Sequence, residues 1–313
     1  MKVLVTGGAG FIGSNIVKTL LNLGEEVSVV DDLSSGFKSN LLPFMSEISF
    51  MEGDIRDFAL IEKMAKEVEV IYHLAASVGN TRSLNNPFLD ADINVRGTLN
   101  ILEVVRKLHI RKVIISSSAG IFGELKKLPI DEHHAAEPRT PYACSKLYAE
   151  KIALAYADLY DIEAVCLRYF NVYGPHQRFD AYGNVIPIFV FRMLRGDPLY
   201  VYGDGEQTRD FVNVHDVVQA NIKSANTVGL TGVFNIASGM SITINQLIVK
   251  LGKASGIDPT VEFKPPRQGD VRDSLADIHT AQNSFGYAPS TELQRGLEEY
   301  CDWAKSEMKE AIA

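Results

Sequence analysis

Cysteine is scarce in this sequence: among 313 residues there are only three, Cys144, Cys166 and Cys301. Their spacing fits neither a metal site nor a redox motif, so we expect packing roles in a reducing compartment and no disulfide framework. Long apolar runs are also missing, because no uninterrupted stretch approaches the ~18 residues that span a bilayer. The chain opens directly on a predicted strand, which leaves no room for a cleavable signal. These absences predict a cytoplasmic protein.

Basic residues are in the minority, since 31 lysines and arginines stand against 39 aspartates and glutamates, a net charge of -8. Without a basic stripe, neither nucleic acid nor an anionic membrane is expected as a partner, and an anionic substrate would need local arginines. His133 and His134 follow two acidic residues, but nothing later in the sequence completes a metal site. We therefore expect no metal.

The most informative feature present is a glycine-rich turn between Lys2 and Ser14, which predicts a strand, a tight loop and a helix. Gly7 and Gly10 allow the backbone to turn sharply and approach a pyrophosphate, and Gly13 brings the helix close against the strand. The helix N-terminus would face that anion with free N–H groups and a favourable dipole. In this context the pattern predicts a dinucleotide-binding loop, although a glycine triplet alone is often a plain turn.

The next predicted strand, residues 26–30, ends in Asp31 and Asp32. An acidic side chain about 20 residues past the glycine loop accepts hydrogen bonds from the adenosine ribose and repels a 2′-phosphate, so the pattern favours NAD over NADP. The following turn contains Ser35 and Gly36, which could also contact the adenosine or the phosphates.

Two later strand ends add cofactor candidates. Asp54 and Ile55 follow the third predicted strand and are expected to hold the adenine, with a helix cap as the alternative for Asp54. The fourth strand ends in Leu74, Ala75 and Ala76, where small side chains permit close approach of the cofactor, although alanines also simply pack.

A long helix is predicted from about residue 88 to 108, and Asn94 lies inside it. An amide in a mostly apolar helix needs a partner, so we expect Asn94 to orient catalytic groups or the nicotinamide ribose. A buried structural hydrogen bond is the alternative.

The fifth predicted strand changes from apolar to hydroxyl residues at its carboxyl end, where Ser116 and Ser118 lie. Downstream, Thr140 and a proline open another predicted helix, in which Tyr142 and Lys146 share one face. A neighbouring ammonium stabilises a phenolate, so this spacing predicts a tyrosine whose pKa is lowered towards working pH, which makes a general base.

Together the glycine motif of residues 6–13, the hydroxyl-ended fifth strand and the Tyr142-x-x-x-Lys146 pair resemble the extended short-chain dehydrogenase/reductase family. The resemblance covers nearly the whole chain. Within the family the chain is most similar to the NAD-dependent nucleotide-sugar epimerases, above all those of the UDP-glucose 4-epimerase type.

The resemblance implies an α/β fold, namely a Rossmann-type doubly wound parallel sheet with a smaller C-terminal α/β substrate domain. Residues 1–168 would form the NAD-binding domain and 169–313 mostly the substrate-binding domain. A strand near 232–238 is expected to return to the large sheet. The final helix, about residues 291–309, is predicted to pack on the smaller domain. The helices around 88–108 and 141–158 would pair in a homodimer, as in relatives.

The resemblance also implies the site. Tyr169 and Phe170 would flank the nicotinamide, and Asn171 would hold the sugar-nucleotide phosphate. The cofactor-binding candidates are Gly7, Gly10, Phe11, Ile12, Gly13, Asp31, Asp32, Ser35, Gly36, Asp54, Ile55, Leu74, Ala75, Ala76, Asn94, Ser116, Tyr142, Lys146 and Tyr169. The catalytic candidates are Ser118, Tyr142 and Lys146. The substrate-binding candidates are Ser118, Tyr142, Asn171, Asn184, Val185, Tyr202, Arg209, Arg267, Asp270 and Ser274.

Among these, Arg209 and Arg267 would grip the diphosphate in a bidentate manner, with structural ion pairs as the alternative. Asp270 would bind the uridine ribose. Ser274 corresponds to a position that lines the sugar pocket, and its small side chain leaves room for a C2 acetamido group. We therefore expect the N-acetylhexosamine pair to be accepted as well. An exposed loop serine is the alternative.

The implied activity is NAD-dependent C4 epimerisation of a UDP-hexose through a transient 4-keto sugar. Nucleotide-sugar 4,6-dehydratases and UDP-glucuronate epimerases or decarboxylases share the fold and are the alternatives. Dehydratases usually carry an Asp-Glu pair after the fifth-strand hydroxyl, whereas this chain has Ala119 and Gly120, which favours simple epimerisation. A non-catalytic NAD-binding sensor or scaffold is the alternative from another class.

Overall fold

Seven parallel strands form the central sheet of the computed structural model, which describes residues 1–180, 183–266 and 271–310. The sheet order is β10-β6-β5-β4-β1-β2-β3. Its strands are β1 (Lys2–Thr6), β2 (Glu26–Asp31), β3 (Ile48–Glu52), β4 (Val70–His73), β5 (Lys112–Ser118), β6 (Glu163–Tyr169) and β10 (Gly232–Ile236). The strand order reverses between β1 and β4. The Rossmann-type prediction is confirmed, and β10 pairs with β6 at the sheet edge.

Helices cover both faces of this sheet because alternate apolar side chains of each strand point to opposite sides. Val3 and Val5 belong to the cluster that α1 (Phe11–Asn22) and α8 (Val214–Asn226) cover. Leu4 belongs to the opposite cluster, which is covered by α2 (Phe58–Met64), α5 (Gly97–Leu108) and α6 (Pro141–Tyr160). Burial on both faces explains why these strands are nearly continuous apolar runs.

The single helix predicted for residues 88–108 is interrupted in the structure. After α3 (Asn80–Asn85), α4 (Pro87–Ala91) passes into a π-helical turn, Asp92–Arg96, which leads into α5. Wider π turns occur mostly as single turns inside α-helices, and they are frequent at functional sites. Short 3₁₀ turns occur at Lys38–Asn40, Leu42–Phe44 and Ala119–Phe122.

The C-terminal part adds two small sheets. One has the order β11-β9-β7 and the other pairs β12 with β8. Their strands are β7 (Asn171–Tyr173), β8 (Leu199–Tyr202), β9 (Thr208–Asn213), β11 (Ser241–Thr243) and β12 (Val261–Lys264). The helices of this part are α7 (Val185–Arg195), α9 (Ile244–Ser255), α10 (His279–Phe285) and α11 (Leu293–Glu310). A third apolar cluster unites α7, α9 and α11, and it includes Phe189, Leu247 and Tyr300.

None of the helices within the described ranges is long and apolar enough to cross a membrane. Cys144, Cys166 and Cys301 all lie within those ranges, and each is a free thiol.

Candidate active site

A cleft of about 1870 Å³ runs along the carboxyl ends of the central strands. Parallel sheets of this kind bind ligands at that edge, where the strand order reverses. The cleft exceeds the 300–1,000 Å³ typical of a drug-sized ligand, so it has room for two molecules side by side. Its walls come from the loops after β1, β2, β3, β4 and β5 and from the segments after β6 and β7.

In the glycine-rich loop, backbone atoms pack directly against other backbone atoms. Gly7 has a φ of +72°, and a Cβ there would lie 2.6 Å from the Ala75 nitrogen. A Cβ on Gly13 would lie 2.1 Å from the Gly7 oxygen. Gly10, Phe11, Ile12 and Gly13 line the cleft, and no side chain among the described residues caps the N-terminus of α1. The N–H groups of this helix end are therefore available to a pyrophosphate.

Asp31 and Asp32 both line the cleft, but they are held differently. Buried Asp31 accepts hydrogen bonds from the backbone nitrogens of Ala9 and Leu33, at 2.9 and 2.8 Å. Burial raises the pKa of Asp31, and these bonds oppose the shift. A Cβ on Gly36 would lie 2.8 Å from Asp31 Oδ1, so a larger residue in this turn would displace the Asp31 carboxylate. Asp32 accepts from Ser34 in the exposed part of the same turn, and Ser35 lines the cleft.

Asp54 and Ile55 line the cleft as well. The Asp54 carboxylate accepts two hydrogen bonds from Arg56 Nε, at 3.0 and 2.9 Å, and Arg56 also bridges to Asp92. The guanidinium holds the pKa of Asp54 below its ordinary value. Much of this carboxylate's hydrogen-bonding capacity is therefore used within the protein. The helix cap falls to Asp57, which accepts from the Leu60 nitrogen at 3.1 Å.

At the end of β4, Leu74, Ala75 and Ala76 line the cleft. His73 lies just before them in the core, where its ring nitrogens contact the hydroxyls of Thr6, at 2.8 Å, and Thr98, at 3.1 Å. Burial lowers the pKa of His73 to about 3, so the imidazole is neutral at physiological pH.

Ser116, Ser118, Tyr142 and Lys146 meet in the middle of the cleft. Thr140 caps α6 by accepting from the Ala143 nitrogen at 3.3 Å, which fixes the start of the helix. One turn later the buried ammonium of Lys146 donates to the Ser116 carbonyl at 2.9 Å. The Lys146 nitrogen lies 5.9 Å from the centre of the Tyr142 ring. The spacing of the two residues therefore does bring the ammonium near the phenol.

The predicted direction of the tyrosine shift is wrong for this structure. Burial raises the pKa of Tyr142 to about 12, and a hydrogen bond with Ser118 only partly opposes it. Burial also lowers the pKa of Lys146 to about 8. The sequence spacing indicated that the charges would be close, but it could not show that both groups are shielded from water or that the ammonium turns to the Ser116 carbonyl.

Asn94 is buried and is not among the residues that line the cleft. Its side-chain oxygen accepts from the Ser77 nitrogen at 2.8 Å. Its nitrogen donates to the Ser77 oxygen and to Ser145 Oγ, both at 3.0 Å. The amide thus has the buried structural hydrogen bonds that were the alternative, and it ties the loop after β4 to α6.

On the substrate side, the cleft is lined by Tyr169, Phe170, Asn171, Asn184, Arg209 and Ser274. Tyr169 bonds to Asn221, and Asn171 donates to the Asp210 oxygen at 3.0 Å. Arg209 donates to the carbonyls of Thr208 and Arg272, at 2.8 and 3.3 Å, which orients its side chain.

Five of the predicted substrate-binding residues need separate mention. Val185 begins α7 but does not line the cleft, and Tyr202 lines a smaller neighbouring cavity of about 450 Å³. Arg267 and Asp270 lie outside the described residues. Ser274 is only 8% exposed, so it is not the exposed loop serine that was the alternative.

Sequence reasoning missed the segment after β7. His176, Arg178 and Asp180 line the cleft. His176 Nδ1 lies 2.8 Å from Ser14 Oγ in the first turn of α1, and Arg178 bridges to Glu307 on α11. Their position in the sequence could have indicated them, because they follow a strand end at the same edge of the molecule as the other site residues.

Three comparisons with known proteins agree with this geometry. The model of a family described as "NAD dependent epimerase/dehydratase family" matches residues 3–237. The chain is 40% identical over 306 residues to a putative UDP-glucose 4-epimerase of Methanocaldococcus jannaschii, covering 97% of this chain and 98% of that one.

Two solved structures are similar over nearly the whole chain. The UDP-glucose 4-epimerase of Thermotoga maritima with UDP-glucose has a TM-score of 0.93 and 38% identity, covering 98% of this chain and 100% of that one. The UDP-N-acetylglucosamine 4-epimerase of Methanobrevibacter ruminantium, in complex with UDP-N-acetylmuramic acid, has a TM-score of 0.94 and 36% identity, covering 98% and 99%.

Proposed function

This chain belongs to the NAD-dependent epimerase/dehydratase family, and from that premise we propose that it is an NAD-dependent UDP-sugar 4-epimerase that interconverts UDP-glucose and UDP-galactose. One observation carries the proposal. A single cleft joins the glycine loop and Asp31 at one end to Ser118, Tyr142 and Lys146 in the middle and to Arg209 at the other end.

The cofactor end fits NAD. The N-terminus of α1 would bind the pyrophosphate, Asp31 the adenosine ribose, and Asp54 and Ile55 the adenine. Tyr169 and Phe170 would flank the nicotinamide. Bound NAD would supply a hydride acceptor for C4 of the sugar and would return the hydride to the opposite face of the same carbon.

Proton transfer would be the task of the cluster around Ser118. Tyr142, directly or through Ser118, would remove the proton of the C4 hydroxyl and later return it. Lys146 would hold Tyr142 in the phenolate form that accepts this proton, because an opposite charge favours the ionised form. These roles are supported by the lining of the cleft and by the packing of Lys146 beside the phenol.

Inversion at C4 requires the 4-keto sugar to rotate while the nucleotide stays anchored. We propose that Asn171, Asn184 and Arg209 hold the UDP part. Arg267 and Asp270 are proposed as further contacts from the family resemblance alone. The N-acetylhexosamine pair is proposed as a second substrate class, because Ser274 is small and lines the cleft and because a similar structure is a UDP-N-acetylglucosamine 4-epimerase.

Among the rival reactions of the family, dehydration usually uses an Asp-Glu pair directly after the fifth-strand hydroxyl. Here Ser118 is followed by Ala119 and Gly120, which form a 3₁₀ turn, and the Gly120 nitrogen donates to Ser118 Oγ at 3.1 Å. A turn without a carboxylate at this point favours epimerisation over dehydration.

We also propose the division into a cofactor domain, 1–168, and a mostly substrate-binding domain, 169–313, which the separate apolar cluster of α7, α9 and α11 supports. A homodimer is proposed through α4, α5 and α6. Exposed apolar side chains such as Phe88 and Leu159 on these helices support that surface. A cytoplasmic location is proposed because all three cysteines are free thiols.

The test is turnover without added cofactor. The purified protein should carry NAD and convert UDP-glucose to UDP-galactose at constant mass, followed by proton NMR and mass spectrometry. Loss of water from UDP-glucose would make it a dehydratase, and loss of carbon dioxide from UDP-glucuronate would make it a decarboxylase. Bound NAD without conversion of any sugar in a UDP-sugar panel would point to a sensor or scaffold.

A further inference from the structure

A buried carboxylate lies behind the proposed catalytic pair. Asp90, on α4, is 1% exposed, and its Oδ1 accepts a hydrogen bond from Asn94 Nδ2 at 3.1 Å. The same amide donates to Ser145 Oγ at 3.0 Å. Ser145 lies between Tyr142 and Lys146 on α6, so this network connects Asp90 to the helix that carries both residues.

The backbone around Asp90 is unusual as well. The π-helical turn Asp92–Arg96 begins two residues later and contains Asn94. Asp90 and Asn94 are both buried, in a helix whose neighbouring residues Leu89 and Phe88 are exposed. A π turn in this place fits a functional role for the two inward-facing polar groups, since such turns are frequent at functional sites.

The charges that face Lys146 come from several elements. His73 of β4 is neutral, because burial lowers its pKa to about 3. Glu150, one turn further along α6, is held by Arg168 of β6 through two hydrogen bonds of 3.0 and 2.9 Å, so its charge is largely neutralised. Within the described ranges no lysine or arginine donates a hydrogen bond to Asp90. Lys146 is the cation whose charge acts on Asp90.

We propose that Asp90 is a positioning residue, a buried counter-charge that keeps the Lys146 ammonium charged beside the Tyr142 phenol. The proposal rests on the function proposed above for that pair. The directions of the shifts support it. Burial lowers the pKa of Lys146, and Asp90 and then Glu150 oppose that effect. Burial raises the pKa of Asp90, and a hydrogen bond with Ser145 and the charge of Lys146 oppose it.

The direct test is the titration of Lys146 in the protein labelled with ¹⁵N-lysine, the signal being assigned by its absence from Lys146→Arg. Asp90→Asn should lower the titration midpoint by about one pH unit or more, as loss of a close opposite charge does. Asp90→Glu should largely restore it. Asp158→Asn, an exposed carboxylate on the same helix, is the control for net charge and should leave it unchanged. An unchanged midpoint in Asp90→Asn would overturn the proposal.

Two further measurements guard against a variant that simply folds poorly. In the wild type, ¹³C carboxyl NMR should show Asp90 ionised at pH 7, and a protonated carboxyl there would overturn the proposal without any substitution. In activity assays, Asp90→Asn should move both limbs of the kcat profile to lower pH, because the Asp90 charge also raises the pKa of Tyr142. A merely structural role would lower kcat and leave both limbs in place. Absence of epimerase activity in the wild type would refute the proposed function, whereas the lysine titration would still decide the role of Asp90.

Discussion

Asp31, at the cofactor end of the cleft, and the arginines at its substrate end are held by different means. At the cofactor end, the Asp31 carboxylate accepts from two backbone nitrogens and is buried. At the substrate end, arginines that line the cleft are paired with acidic side chains in bridges that are largely exposed: Arg82 with Asp180, Arg139 with Glu124, and Arg272 with Asp204.

The difference predicts different mobility. Backbone groups cannot move without the loop that carries them, whereas an exposed ion pair contributes only about 0–1 kcal/mol and opens readily. The cofactor end should therefore be preformed. The substrate end can exchange ion pairs for contacts to the ligand, and it is the part of the site in which related enzymes can differ in the sugar they accept.

The largest effect on activity should come from a substitution of Tyr142, which lies between the two ends of the cleft. Tyr142→Phe removes the proposed base and should lower kcat by about 10²–10⁴-fold, the range typical of general acid–base catalysis. Bound NAD should be retained, because the cofactor end does not depend on the hydroxyl. Tyr148→Phe, on the same helix but not lining the cleft, is the matched control. A fully active Tyr142→Phe enzyme would exclude the assigned base.

The preformed end is tested by Asp31→Asn. The Asp31 carboxylate holds the Ala9 and Leu33 nitrogens and would bind the ribose. Loss of its charge should weaken NAD binding by about 10–100-fold, because a hydrogen bond to a charged group contributes about 1.5–3 kcal/mol. The wild type should prefer NAD to NADP, and the variant should lose much of that preference. Calorimetry on the apoprotein measures both. Asp32→Asn, whose contacts lie in the exposed turn, should have the smaller effect.

Sequence patterns predicted the fold and NAD as the cofactor because the relevant signals are local. Apolar strands, the glycine spacing and a helix cap at Thr140 each depend on residues a few positions apart. Long-range contacts were not predictable in this way. Arg178 reaches Glu307 across 129 positions, and no pattern near either residue indicates the pair.

The predicted direction of the Tyr142 pKa shift was wrong for a related reason. The i, i+4 spacing of Tyr142 and Lys146 predicted proximity, but the pKa of a phenol depends on how much water reaches it, and burial is decided by the whole fold. The π turn at Asp92–Arg96 was also missed. Asn94 inside it bonds to the backbone of Ser77, a contact that exists only once β4 and the helix have packed together.

The substrate end of the cleft is tested by Ser274→Tyr. If Ser274 leaves volume for an acetamido group, a phenol in its place should lower kcat/KM for UDP-N-acetylglucosamine at least ~10-fold more than for UDP-glucose, within the 1–3 kcal/mol that over-packing typically costs. Ser274→Ala keeps the volume and should discriminate little. Equal losses on both substrates, or a wild type that never accepts the acetylated sugar, would refute this pocket assignment.

The smallest effect concerns two histidines, one in the sheet core and one on the substrate-side loop. Burial lowers the pKa of His73 to about 3 and that of His176 to about 4, against an ordinary 6.5. Both stay neutral in the folded protein while the unfolded chain takes up protons below pH 6.5. The contribution of the two histidines to the free energy of unfolding is therefore fully present above that pH. It is lost as the pH drops towards 4, by up to about 1.4 kcal/mol per pH unit for each histidine.

His176 tests whether the segment after β7 opens to water. In urea titrations between pH 6 and 5, His176→Gln should reduce the pH dependence of the unfolding free energy by up to about 1.4 kcal/mol per unit, because one of the two buried imidazoles is removed. His73→Gln should reduce it similarly, at a larger cost in stability at pH 7, since His73 bonds to two buried threonines. If His176→Gln leaves the slope unchanged, His176 takes up its proton in the folded state, which would mean that the segment after β7 opens to water.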